Sequence, residues 1–264
     1  MARTIVITSG KGGVGKTSIC ANLGTTLASK GCRVVLIDVD IGLNNLDVVM
    51  GVENKVVFDI VDVIENKCRV KQALIQDFTY PNLYIMPSAQ SYDKSCITVQ
   101  NIKKVVEELD RVFDYVLIDC PAGIDMPFKR AVCCAKEALV VVTPHVSSLR
   151  DADKVISLLK TYNVNNIKLI INRIRGDMVL DKDMLGCSEI SALLGVSLTG
   201  VVPEDDQITL ASMYGSACTE GADSTRAFEL LADNIINGTS KIYDCTKKYK
   251  GIIGYFKRSI KRRV

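Results

Sequence analysis

Seven short runs of almost unbroken apolar residues, at 4–8, 34–37, 83–86, 115–118, 138–142, 167–171 and 198–202, recur along the chain and constrain its fold more than any other feature. They are rich in Val and Ile, and most lack the alternation of a sheet with one wet face. A strand this uniformly apolar must be buried on both sides. The intervening segments have helical periodicity, with helices expected at 17–29, 98–109, 127–135, 148–162, 188–194 and 224–237. Strands alternating with helices predict an α/β class: a doubly wound, mostly parallel sheet flanked by helices. No composition break divides the 264 residues, so one globular domain, 1–244, is expected, followed by a short tail, 245–264.

Between the first apolar run and the first helical stretch lies Gly10-Lys11-Gly12-Gly13-Val14-Gly15-Lys16-Thr17, which fits G-x-x-x-x-G-K-[ST] in the strand-to-helix setting that motif requires. The residue types follow from the chemistry. Glycines let successive backbone N–H groups turn toward phosphate oxygens, and the helix N-terminus adds its positive dipole end. Lys16 is expected on the β- and γ-phosphates and Thr17 on Mg²⁺. Lys11 is an extra cation that the general motif does not need, and it points to a site completed by dimerisation.

Two further strand ends carry carboxylates. The run 35–37 ends in Asp38-Val39-Asp40, whose i, i+2 spacing places both acids on one side of an extended chain, where they could orient metal-bound and attacking water. The run 116–118 ends in Asp119, followed by Cys120-Pro121-Ala122-Gly123, a metal carboxylate leading into a loop suited to sensing the γ-phosphate. Asn172, following the run 167–171, is placed either for a purine edge or as a plain turn residue.

Composition narrows the remaining classes. No apolar run approaches the roughly 20 residues that span a bilayer. The N-terminus passes straight into the glycine loop without a small-residue cleavage site, so no signal peptide is expected. Ten cysteines stand beside a single histidine, His145, with no C-x-x-C spacing, and read as small buried hydrophobes in a reducing cytosol. Cys96, Cys120, Cys133 and Cys134 keep an iron–sulfur alternative open.

Charge is unevenly placed. Lys247, Lys248, Lys250, Lys257, Arg258, Lys261, Arg262 and Arg263 are eight of the 33 basic residues, leaving 25 against 30 acidic ones, so a body of −5 precedes a tail of +8. That asymmetry suits tethering to an anionic surface better than nucleic-acid binding by the body. On a helix, Tyr249, Ile252, Ile253, Phe256 and Ile260 share one arc of roughly 100° while Lys250, Lys257, Arg258, Lys261 and Arg262 lie outside it, the pattern of an interfacial amphipathic helix. A terminal helix docked on the domain and a nucleic-acid-binding tail are the competing readings.

The loop from Lys11 to Thr17 resembles the deviant Walker-A box of the signature-lysine ATPases of the MinD/ParA family. The stretches 38–47, Phe58-Asp59-Ile60, 82–87, 146–151 and Val202-Pro203-Glu204-Asp205, and the basic end, are similar to that family's division-site branch. The resemblance covers essentially the whole chain, and implies slow, partner-stimulated hydrolysis of ATP with Mg²⁺. It assigns ATP contacts to Gly12, Gly13, Val14, Gly15, Lys16, Thr17 and Ser18, with Asn172 and Pro203, Glu204 and Asp205 around adenine. Mg²⁺ falls to Thr17, Asp38 and Asp119. Catalysis falls to Lys16, to Asp40 positioning water, and to Lys11 reaching the partner's phosphates in an ATP-bound homodimer. It further implies a cytoplasmic protein held reversibly on anionic membrane lipids, recruiting the division inhibitor MinC and released by MinE or another regulator. No nucleic-acid partner is expected; a ParA-like partition ATPase acting on DNA is the runner-up. Asn44 stands where the family often has arginine.

Overall fold

The computed structural model describes residues 1–42, 45–89, 97–216, 223–251 and 254. Eight strands, β1 (Arg3–Thr8), β2 (Val34–Asp38), β3 (Ile75–Gln76), β4 (Leu83–Met86), β5 (Tyr115–Asp119), β6 (Glu137–Val142), β7 (Asn166–Ile174) and β8 (Leu198–Pro203), form one sheet in the order β3-β4-β2-β5-β1-β6-β7-β8. All pairings are parallel except β3 with β4. The expected doubly wound sheet is present, and the seven apolar runs are seven of its strands. Antiparallel β3, with only two residues, is too short to carry a periodicity.

Strand faces explain the unbroken apolar runs. Along β2 and β5, Val35, Ile37, Val116 and Ile118 point into one core; Val34, Leu36, Tyr115 and Leu117 point into the other. Covering the first face are α3 (Ile60–Ile64), α4 (Val70–Ala73), α5 (Val99–Leu109), α6 (Met126–Val132), α7 (Val146–Thr161) and α9 (Cys187–Leu194). The second face is covered by α1 (Lys16–Ser29), α2 (Leu46–Val49) and α11 (Asp223–Asn237). Each fully buried Leu, Ile, Val or Phe contributes about 1.5–3 kcal/mol, so these two layers dominate stability. The remaining helices are α8 (Gly176–Leu180) and α10 (Asp206–Met213).

Local chemistry sets the helix starts. Thr98 Oγ1 accepts from Asn101 N at 3.2 Å to cap α5, and Asp59 accepts from Val61 N at 2.7 Å and Asp62 N at 3.1 Å to cap α3. Phe58-Asp59-Ile60 is thus a helix cap. The expected helix 127–135 begins a residue earlier and ends at Val132.

At the C-terminus, packing runs past residue 244. Cys245 and Tyr249 are each only 5% exposed, and a Cβ on Gly176 would lie 1.9 Å from the Cys245 carbonyl oxygen, so α8 presses against this segment. Lys250 Nζ pairs with Asp244 at 3.1 Å, and Lys248 pairs with Asp223. Tyr249, placed on the lipid-facing arc by its spacing, is therefore buried against the body. Ile252, Ile253, Phe256, Lys257, Arg258 and Ile260 lie outside the described residues, as do Asn44 and Cys96. No described helix is long and apolar enough to cross a membrane.

Candidate nucleotide site

The connection from β1 through α1 to β2 moves one way along the sheet and that from β5 through α6 to β6 moves the other, so the strand order reverses around β1. Ligands bind outside the carboxyl ends of strands at such a point. The loop after β1 turns there. Ser9 Oγ donates to the Lys11 carbonyl at 2.7 Å, and Gly13 and Gly15 take φ of +76° and +93°. Glycine at 15 is required twice over: its backbone is left-handed, and a Cβ would lie 2.4 Å from Asn172 Nδ2. Lys16, 9% exposed, opens the 14-residue α1, whose first turn carries no acidic residue to compete for its free N–H groups.

Gly12, Gly13, Gly15, Lys16, Thr17, Ser18, Asp38, Asp40 and Asp119 surround a cavity of about 400 Å³. Asp38 and Asp119 face each other in register at the ends of β2 and β5, at 1% and 5% exposure. Asp38 is fully engaged: Oδ1 accepts from Asp40 N at 2.8 Å, and Oδ2 accepts from Asn45 N and Leu46 N, each at 3.2 Å. It thereby ties Asp40, Asn45 and Leu46 to the end of β2, and Asp40 and Asn45 line the cavity. Asp119 differs. The Thr17 hydroxyl hydrogen-bonds to it, yet its Oδ1 is buried without a hydrogen-bond partner among the described residues. Burial pushes both carboxyls above the usual carboxylate range, reinforced at Asp38 by the charge of Asp119 and at Asp119 by that of Asp40, with Thr17 and Lys16 partly offsetting it at Asp119.

A buried, orphaned carboxylate oxygen beside a threonine hydroxyl fits Mg²⁺, a hard cation that takes oxygen ligands and completes its shell with water and phosphate oxygens. Asp119 and Thr17 would hold it. Among the described residues no group of three or more His, Cys, Asp or Glu side chains forms a metal cage, and Cys133 and Cys134 are only half-buried thiols.

A second cavity, about 440 Å³, adjoins the first and is bounded by Gly15, Ser18, Asn172, Pro203, Glu204 and Asp205. Asn172 is not a turn residue: it lies inside β7, 5% exposed, and its Nδ2 donates to the Val14 carbonyl at 2.8 Å, bracing the glycine loop. Asp205 caps α10 through Gln207 N at 3.0 Å and accepts from Ser224 Oγ at 2.7 Å, so its carboxylate ties α10 to α11. Lys11 stands apart. Its ammonium reaches Ser147 Oγ at 3.3 Å and borders a third cavity with His145, Ser148 and Arg175, on the far side of Gly12 and Gly13 from Lys16, Gly12 and Gly13 lining both cavities. Arg173 carries no motif signal and reaches the site only through the fold, while Ser147 lies in the family-like stretch 146–151 but its contact with Lys11 is not legible from sequence.

A glycine cradle at a helix N-terminus, with paired strand-end aspartates at the switch point of a parallel sheet, defines a P-loop nucleotide-binding protein. Residues 5–217 match the CobQ/CobB/MinD/ParA nucleotide binding domain. The chain is 44% identical over 261 residues to the septum site-determining protein MinD of Bacillus subtilis, covering 97% of each, and 46% identical over 215 residues to that of Synechocystis, covering 81% of each. Among solved structures it is similar to MinD in the MinC:MinD cell division complex of Aquifex aeolicus (TM-score 0.84, 40% identity, 90% of this chain and 97% of that one). It is also similar to the Pyrococcus horikoshii septum site-determining protein complexed with Mg-ADP (TM-score 0.81, 30% identity, 89% and 96%). The chain belongs to the CobQ/CobB/MinD/ParA nucleotide-binding family, in its septum site-determining MinD branch.

Proposed function

We propose that the chain is a switch ATPase that places the division site: it binds Mg-ATP, dimerises face to face, settles on the inner surface of the cell membrane and recruits a MinC-type inhibitor. The observation that carries this reading is the division of labour between two lysines. Lys16 is buried in the cradle, where it holds β- and γ-phosphate oxygens, whereas the exposed Lys11, held among the described residues only by Ser147 Oγ, borders a different cavity from which it reaches a second copy's phosphates. The Aquifex complex supports the MinC-type partner, and the Mg-ADP complex supports nucleotide with Mg²⁺.

Bound Mg²⁺ supplies electrostatic stabilisation of the charge that shifts between phosphate oxygens. The chain's own groups do the rest. Loop N–H groups and Lys16 fix the phosphates, Thr17 and Asp119 orient toward the metal, and Asp38 holds the segment that presents Asp40, which positions the attacking water. Hydrolysis is slow alone because Lys11 completes the charge only across a dimer; a MinE-type or other regulator accelerates it and returns the protein to the cytoplasm. Gly12, Gly13, Val14, Gly15 and Ser18 hold the nucleotide from below, with Asn172, Pro203, Glu204 and Asp205 beside the base.

Sedimentation with anionic liposomes under ATP, ADP and no nucleotide tests the proposal. Binding with ATP alone is the expected result; equal binding in all three conditions would show that nucleotide and membrane are not coupled.

A further inference from the structure

Strand β7 has an irregular end. Its pairing with β8 shifts register between Ile171 and Ile174, and there Arg173 takes φ of +56°, in the left-handed region. A side chain with a Cβ costs more there than glycine does; Asn66, Asn163 and Lys182 also take this φ, but of the four only Arg173 borders the nucleotide cavities. Strained positions of this kind cluster where a side chain must be aimed at a ligand.

The bulge does aim it. Asn172 and Ile174 on either side remain buried, while Arg173 is exposed and borders all three cavities at once: the phosphate cradle, the base side, and the face that carries Lys11. Among the described residues its guanidinium makes no hydrogen bond or ion pair. The contrast is its neighbour Arg175, whose guanidinium is taken up by Asp177 at 2.6 Å. An unpaired arginine on strained backbone is thus held where the cradle meets the base cavity, the position of the ribose and α-phosphate of a nucleotide that fills both.

We propose that Arg173 is a nucleotide-binding residue that clamps the α-phosphate and ribose, gripping di- and triphosphate alike. This rests on the nucleotide-site reading above and adds a contact to it. A planar guanidinium offers several donors in fixed geometry to phosphate oxygens, which a lysine ammonium does not reproduce.

The test is titration of the full chain with Mg-ADP, Mg-ATP and AMP, for the wild type, R173A, R173K and R173G, with Lys16→Ala as the loss control and thermal melting alongside. R173A should weaken all three ligands in parallel, roughly 10–100-fold, as loss of a charge-assisted hydrogen bond does. R173K should recover only part of that. R173G should bind as poorly as R173A yet melt higher, because glycine removes the strain while deleting the clamp. Wild-type affinity in R173A would overturn the inference alone, whereas failure of the wild type to bind Mg-ADP would overturn the nucleotide reading with it. Loss confined to ATP, with ADP and AMP unaffected, would place Arg173 on the γ-phosphate or the second copy instead. A lower melting temperature in R173G would make the residue a structural support.

Discussion

Lys11 and Lys16 belong to one loop but line different cavities, with the left-handed glycines at 13 and 15 between them. Lys16→Ala removes the cation inside the cradle, and nucleotide affinity should fall at least about 100-fold, the effect of deleting a charge-assisted contact to phosphate. Lys11→Ala should keep Mg-ADP affinity within a few-fold, yet fail to form the ATP-dependent dimer in light scattering; equal loss of nucleotide in both variants would remove the cross-subunit role. The paired carboxyls lead to a second expectation. Burial raises the pKa of Asp38 and Asp119, so without metal the pair holds protons at higher pH than free aspartates do. The sign follows. A carboxyl with a raised folded pKa favours folding at low pH and costs stability as pH rises from the unfolded value through the folded one. Mg-nucleotide should therefore release protons on binding near neutral pH, seen as a binding heat that changes with buffer ionisation enthalpy. Asp119→Asn should melt a few degrees higher without ligand and lose the Mg²⁺ dependence of nucleotide binding. Most of this site is legible from residue types, since a glycine cradle and strand-end aspartates announce themselves by spacing. Asn172 as a brace on Val14 and Arg173 are not, because each meets neighbours distant in sequence, and Asp38 as a backbone clasp is not, because an irregular loop carries no periodicity.

Elements were legible in proportion to how much of their surface is buried on a regular period. The seven long strands carry that signal on both faces, and α5 places Ile102, Val105, Val106 and Leu109 along one buried side. Short pieces do not. The helix α10 has Ala211 as its only buried residue, and it exists because Asp205 caps it and bonds to Ser224. The segment Lys247–Tyr249 is a similar case: its basic composition suits a lipid surface, but Tyr249 is anchored in the body and Lys248 and Lys250 are paired with Asp223 and Asp244. Truncation should be sensitive to this boundary. Removing residues 251–264 should leave the melting temperature and ATP affinity unchanged while abolishing liposome binding. Tyr249→Ala, by emptying a buried aromatic site, should cost about 3 kcal/mol in denaturant unfolding whether or not lipid is present. A Tyr249→Ala protein as stable as the wild type would return that residue to the membrane face.

At the scale of the whole molecule, the pairing of Lys248 and Lys250 with body carboxylates reduces what the tail offers to lipid. Beyond residue 250 the cations are Lys257, Arg258, Lys261, Arg262 and Arg263. At about 1 kcal/mol for each basic residue near an anionic leaflet, they contribute roughly 5 kcal/mol before the entropy of ordering the tail is subtracted. Charge alone thus corresponds to about sub-millimolar affinity for one tail; apolar burial by Ile252, Ile253, Phe256 and Ile260 adds to this and ordering entropy subtracts, so one tail is expected to bind weakly and reversibly. Two tails joined through a dimer behave differently, since the second binds at the effective concentration set by the first and the combined affinity rises on the order of 100-fold without any new contact. On the proposed function, the Lys11 face and the tail would be coupled through mass action alone, so that whatever blocks dimerisation also releases the membrane. Lys11→Ala, with an intact tail and an intact nucleotide cavity, should therefore sediment with liposomes in ATP only as weakly as wild type does in ADP. Fusing that variant to an unrelated constitutive dimer should restore binding irrespective of nucleotide. A fused dimer that still fails to bind would mean that ATP acts on the tail within each copy, and that the two ends of the molecule communicate through its fold.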